Sequence, residues 1–555
     1  MIACRQARQV SAIDAESGKI DACRTALTLI PVVTTPPPLH NVAADGMLGP
    51  YPAEDFVIST GRDSKNAALP QALWYFQDEV IALAKGGHPR AGFTPGVTAQ
   101  QDVAAWAATH APGMAPVYPP LIWVAARDVI HGARLNADAS RLIAGRDTQD
   151  FDVVPKIPLN RSYYDASSVA FFAARTITMR GTLLDERFVA RTLWPEDFRL
   201  DPSAPPRDIA ATPRAIRRLV REEPRGGAQS PFSASALWER TPGARAWRDK
   251  SVLAIMLNGA QGDDDEAHGG HFALVTGRIG GDGAMGSWLA NNFYTLDAFS
   301  EKGIVAAPTP LDNYLADLNS GQAWYRPSYL LVAILANDRV ATFVQSALVR
   351  TYNQLYRHQL VYQHATMNCA SISVDAMRAM GWNVPARGPT SRLLAAISLP
   401  YFAVQERSLD KAVQTYDYLT EDRTRLFPAA AFEDSCADLL RLARGRRRPR
   451  DAFERMLAQD IDALVFMRVP QIPSSRAWGD YPIVTAWEYT ARVPSDPEEQ
   501  QIVPVPPRPF PNRLRDPDLL PPARRRGERA LAVWAVLSVI GIPWLLWRRW
   551  RMRHA

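Results

Sequence analysis

The chain has 555 residues, 47% hydrophobic and 22% charged, an ordinary globular composition that excludes collagen-like and wholly disordered classes. Its net charge of +6 is concentrated at one end: from Arg513 onward ten arginines stand against Asp516, Asp518 and Glu528. The near-neutral remainder argues against a nucleic-acid-binding domain and directs the basic end toward phospholipid.

Residues 1–50 read as irregular, with Pro36-Pro37-Pro38 marking an extended segment. Residues 51–225 mix short apolar runs with helical stretches and read as an N-terminal α/β region without assignable chemistry. Pro- and Arg-rich turns around a basic helix at 213–223 close that region.

Residues 226–398 form the better-ordered part. The run 252–257 (VLAIML) suits a buried strand, and 271–276 (HFALVT) a second one. In the second, Phe272, Leu274 and Thr276 take one face and His271, Ala273 and Val275 the other. Residues 288–294 and 329–335 read as further strands. Thr309-Pro310 predicts a helix start, with Thr as cap, Pro at the first helical position and Gly321 beyond the end. After Asn368-Cys369 a helix runs to Met380, with Ala370, Val374 and Met377 as its apolar stripe and Gly381 as its cap.

Beyond Leu399 the pattern is helical to about Phe466, within a helical region 399–500. A Pro/Arg-rich linker, 501–529, leads to ALAVWAVLSVIGIPWLLW at 530–547. These 18 uncharged residues would span about 27 Å as a helix, enough for a single transmembrane crossing. A basic tail, 548–555, follows. Five arginines upstream (Arg515, Arg524, Arg525, Arg526, Arg529) against four downstream (Arg548, Arg549, Arg551, Arg553) give no orientation. The expectation is a single-pass membrane protein that contacts phospholipid through 530–547 and the flanking arginines, the side of its main body unassigned.

Cys4, Cys23, Cys369 and Cys436 include no CxxC pair, so neither a disulfide scaffold nor a zinc motif is expected. The acidic run Asp263–Glu266 lacks the alternating ligands of a calcium loop. No cofactor and no metal are expected. Chemistry points instead to Cys369 at a predicted helix start and His271 at a predicted strand start. A helix N-terminus and a nearby imidazolium both favour the thiolate. The thiolate attacks an acyl carbon, the histidine protonates the leaving group, and backbone N–H groups of the helix start can hold the oxyanion. His268 and His364 are alternative bases. Tyr314, Asp317, Asn319, Trp324, Tyr325 and Arg326 read as the lining of a substrate groove, with edge packing as the alternative for Trp324 and Tyr325.

The segment 270–277 (GHFALVTG) resembles the histidine strand of circularly permuted papain-like cysteine hydrolases, and Asn368-Cys369 with its helix resembles their nucleophile segment. That group includes relatives of lecithin:retinol acyltransferase and of NlpC-type cell-wall peptidases. The histidine strand precedes the cysteine helix, as in the permuted members. In the acyltransferase branch the Cys is followed by Glu-His-Phe, where this chain has Ala370-Ser371-Ile372. The resemblance implies an α+β papain-like central domain, an antiparallel sheet plus nucleophile helix, with Cys369 as nucleophile and His271 as base. The orienting third residue falls on Asn291 or Asn292, with a slight preference for Asn292. The implied activity is a thiol hydrolase or acyltransferase acting on an amide or ester of a cell-envelope peptide or lipid. The alternative is a non-catalytic, membrane-anchored scaffold that keeps the fold.

Overall fold

The computed structural model describes residues 39–64, 69–110, 113, 115–137, 140–145, 147–153, 166–221, 231–258, 270–296, 305–317, 327–363, 365–470, 472, 509–517 and 525–538. The described residues open with three two-residue strands, β1 (His40–Asn41), β2 (Met47–Leu48) and β3 (Tyr51–Pro52). These are followed by β4 (Phe56–Thr60), α1 (Pro70–Tyr75), β5 (Val80–Ala84), α2 (Ala99–Thr109) and β6 (Ile122–Trp123). A strand-rich stretch comes next: β7 (Asp128–Leu135), β8 (Arg141–Ala144), β9 (Asp147–Val153), α3 (Ala166–Phe172), β10 (Ile177–Leu184) and β11 (Arg187–Pro195). Helix α4 (Pro213–Arg221) separates it from β12 (Ser233–Glu239), β13 (Ser251–Asn258), β14 (His271–Arg278), β15 (Leu289–Asn291) and β16 (Pro308–Pro310). Then come α5 (Leu311–Ala316), β17 (Ser328–Leu335), α6 (Arg339–Tyr356), α7 (Cys369–Ala379), α8 (Arg392–Gln405) and α9 (Leu409–Thr420). Helices α10 (Arg423–Leu426), α11 (Pro428–Ala443) and α12 (Ala452–Asp460) lead into β18 (Ile461–Val469).

The centre is an antiparallel seven-stranded sheet in the order β12-β18-β17-β13-β14-β15-β16. Both of its faces are covered, which is why 252–257 and 329–335 read as continuous apolar runs rather than as alternating strands. Val252, Ala254 and Met256 of β13, Leu330, Val332 and Ile334 of β17, and Val465 and Met467 of β18 pack into one core. That core is shared with Ile130, Ala133, Ile177, Met179 and Leu193 of a second, six-stranded sheet ordered β1-β7-β10-β11-β9-β8. The alternate residues Leu253, Ile255, Leu257, Phe272, Leu274, Leu331 and Leu464 enter a different core, formed with α2, α6, α7, α11 and α12. The architecture is therefore three layers, sheet on sheet on helices.

The chain is α+β, but the expected transmembrane helix is overturned. No helix among the described residues is long and apolar enough to cross a membrane. Helix is described over 526–538, about 20 Å at 1.5 Å per residue against a hydrocarbon core of about 30 Å. Its first turn is fastened to α9, with the Gly527 N–H donating to Asp417 at 2.7 Å and Arg525 paired with Asp410 at 2.5 Å. Hydropathy along a window cannot register such a tether. Residues 539–547 lie outside the described residues.

The region 51–225 contains helices α1–α4 as well as strands, and its six-stranded sheet forms one wall of the inter-sheet core. Two local readings change. The helical pattern beyond Leu399 stops at Asp460, and β18 then inserts between β12 and β17. Thr309 and Pro310 pair as a strand with Ala290 and Leu289, so the helix begins one residue later, at Leu311.

Candidate active site

Helix α7 starts at Cys369 because Asn368 caps it. The Asn368 Oδ1 accepts from the Ala370 N–H at 3.0 Å and the Ser371 N–H at 3.1 Å, satisfying two donors that no helical carbonyl can reach. The Asn368 Nδ2 donates to the Leu426 carbonyl at 2.8 Å, tying this helix end to α10. The helix ends at Gly381, whose φ of +99° suits the left-handed cap that sequence predicts. Ala370, Val374 and Met377 are buried in the core under the sheet, and Cys369 is fully buried with them.

Strand β14 is entered through Gly270 at φ +71°, where a Cβ would collide with the Asn258 carbonyl. His271 then pairs across the strands with Asn258. Both side chains are buried, and neither polar atom of the Asn258 amide has a hydrogen-bond partner among the described residues. The His271 ring lies 6.1 Å from that of Tyr294, and Tyr294 lies 5.1 Å from Tyr362, just before the Gln363–Met367 turn that leads to Cys369. A chain of rings thus connects the histidine strand to the cysteine loop.

The alternation of β14 adds a constraint. Phe272 and Leu274 face the core that contains α7, whereas Ala273 and Val275 face the inter-sheet core. By the same period His271 belongs to the inter-sheet side. Cys369 belongs to the core that contains α7, and its link to the inter-sheet side is electrostatic. Burial pushes the Tyr314 hydroxyl well above the usual phenol range, and the charge of Cys369 adds to the effect. Tyr314 sits in the inter-sheet core, on α5.

Polar contacts with the N-terminal region and the adjoining six-stranded sheet hold α5 and its last turn. Asp312 takes the Arg180 guanidinium at 2.5 Å in a buried ion pair, and Asp317 takes Arg191 at 3.1 Å. Asn313 accepts from Thr192 at 3.0 Å and donates to the Val124 carbonyl at 2.6 Å. Tyr314 is carried between these pins, and its buried hydroxyl has no hydrogen-bond partner among the described residues. The sequence marks Tyr314 only as a groove residue and gives Asn258 no role. A polar residue terminating the apolar run of β13 is the signal that could have found the latter.

The two adjacent asparagines separate cleanly. Asn291 and Gln345 exchange reciprocal amide bonds of 2.9 Å, and the Thr276 hydroxyl donates to the same Gln345 oxygen at 2.5 Å. Asn291 is thereby committed to joining β15 to α6. Asn292 donates from Nδ2 to the Val305 carbonyl at 2.6 Å, which sets the amide orientation, and its buried Oδ1 accepts no hydrogen bond among the described residues.

His268, His364, the acidic run 263–266, Asn319, Trp324, Tyr325 and Arg326 lie outside the described residues. No group of three or more His, Cys, Asp or Glu that could hold a metal ion occurs among the described residues. No protein-family model matches the chain, and neither a curated protein nor a solved structure matches it.

Proposed function

We propose that Cys369 is the nucleophile of a thiol hydrolase or acyltransferase that acts on an ester or amide of a lipid or a peptide. The observation that carries the reading is the placement of Cys369 as the first residue of a capped helix, packed on the antiparallel sheet whose strand His271 opens. The Cys369 thiolate attacks the acyl carbon, and His271 gives its proton to the departing alcohol or amine. In the second half, His271 takes a proton from water or an acceptor alcohol, which attacks the thioester and releases Cys369. The open Oδ1 of Asn292 suits an imidazole N–H and would set its tautomer. Since Asn368 engages the N–H groups of Ala370 and Ser371, the Tyr314 hydroxyl is the better donor for the oxyanion. Burial, by raising its pKa well above the usual phenol range, keeps it protonated at neutral pH.

The test is acylation of the full chain by a p-nitrophenyl ester, followed by intact mass and peptide mapping. Wild type should carry a hydroxylamine-labile adduct on Cys369, absent from Cys369→Ala. His271→Ala should slow acylation by about 10²–10⁴-fold, and Tyr314→Phe by about 10²-fold with KM little changed. Cys436 should remain unmodified, since burial and then the charges of Glu433 and Asp434 push its thiol well above the usual range. An adduct on Cys436 alone would overturn the assignment.

One observation favours a second reading, a scaffold that keeps the fold without turnover. Cys369 and His271 are both fully buried, and two N–H groups of the helix start are already engaged. A folded wild-type chain that forms no adduct with esters of short and long acyl chains would establish this second reading.

A further inference from the structure

Eleven of the fifteen large apolar side chains exposed among the described residues lie on α8, α9 and the helix over 526–538. The concentration is greatest on α8. Leu393 is 73% exposed, Ile397 58%, Tyr401 57% and Val404 79%, at spacings that place them along one side of the helix. Helix α8 packs against α9 through its other side, where Ala395, Ser398 and Leu399 are buried. The helix over 526–538 starts on α9, with Gly527 against Val413, and carries Val533, Trp534, Val536 and Leu537 exposed. A soluble surface rarely keeps so many large apolar groups together without a partner.

We propose that the α8 stripe, together with the helix over 526–538, docks on the surface of an anionic lipid bilayer, lying in the headgroup region without crossing the hydrocarbon. Charge supports this occupant. Most acidic groups of the unit are matched internally: Glu406 by Lys411, Asp410 by Arg525, and Glu421 by Arg425 and Arg526, while Asp417 and Glu528 accept backbone N–H groups of Gly527 and Arg525. Arg392, Arg407 and Arg529 are exposed, and no carboxylate partner is found for them among the described residues, which leaves them for lipid phosphates. Tyr401 and Trp534 supply the amphipathic rings that favour the headgroup level. A helix with an apolar side and cationic margins is the ordinary form of an interfacial anchor. The α8 stripe is independent of the sequence beyond Ser538, so the two contributions can be separated.

The experiment is flotation of the full chain with vesicles of phosphatidylcholine and phosphatidylglycerol, comparing wild type with Ile397→Glu/Val404→Glu. Both positions are largely exposed, so the variant should keep the wild-type melting curve. Wild type should float with the vesicles, and the variant should bind about tenfold more weakly or less. A second variant, Leu393→Ser/Val404→Ser, repeats the comparison without adding charge and stands in should the first misfold. If both folded variants float as wild type does, the α8 surface is not a docking site. If wild type stays with the protein fraction, the proposal fails. It also fails if wild type is a dimer that the substitutions convert to monomer while vesicle binding is unchanged, because the occupant is then a second copy of the chain.

Discussion

Helices α7 and α8 are neighbours in the chain, each with an apolar stripe and a polar N-cap, yet one is at the centre of the molecule and the other at its edge. The stripe of α7 is buried under the seven-stranded sheet, and its cap residue is anchored to α10. The stripe of α8 faces outward, and its cap, Ser391 accepting from the Leu394 N–H at 3.0 Å, is partly exposed. An apolar periodicity therefore shows that a helix has a face to bury without identifying what covers it. For α7 the cover is the rest of the fold. For α8 no cover is found among the described residues.

The contrast predicts unequal responses to the same substitution. Met377→Ala removes a fully buried side chain of α7 and should destabilise the chain by about 2–5 kcal/mol, while Ile397→Ala on α8 should stay within about 0.5 kcal/mol. Denaturant titration of the two variants measures this directly, and equal losses would break the distinction.

The caps should differ less. Asn368→Ala orphans two buried N–H groups and the Leu426 carbonyl, with an expected loss of about 2 kcal/mol, against about 0.5–1 kcal/mol for Ser391→Ala. A Ser391→Ala loss as large as that of Asn368→Ala, read from thermal melts, would mean that α8 is as deeply integrated as α7.

The smallest global effect belongs to Gly527. A Cβ there would approach the Val413 carbonyl oxygen to 2.7 Å and its Cα to 2.9 Å. Gly527→Val should lift the helix over 526–538 from α9 while global stability changes by about 0.5 kcal/mol or less. Faster trypsin cleavage at Arg525, Arg526 and Arg529 would report the detachment. Unchanged cleavage would show that the ion pairs of Arg525 and Arg526 hold the segment by themselves.

Much of the central domain is legible locally. The strands at 251–258, 271–278 and 328–335 follow from apolar runs between polar breaks, and the helix after Asn368 from its stripe and its glycine stop. Each of these signals lies within a dozen residues. The apolar end of the chain is equally plain as composition, but hydropathy read along a window cannot show that Gly527 and Arg525 hold its start to α9.

Tertiary structure decided the rest, because pairing and coverage depend on residues far apart in the chain. Strand β18 joins β12 across more than two hundred residues, and no local pattern marks a strand behind seven successive helices. Asn291 and Asn292 are equivalent in sequence, yet Gln345 of α6 engages the first and leaves the oxygen of the second open. Tyr314 is held in the inter-sheet core because Arg180, Thr192 and Val124, from the region to which sequence assigns no chemistry, pin α5 in place. Sequence by itself determined which segments must bury a face and which residues could react. Only the packing of the two sheets and the helices decided which core each of those residues enters, and among the described residues nothing covers the outer side of α8.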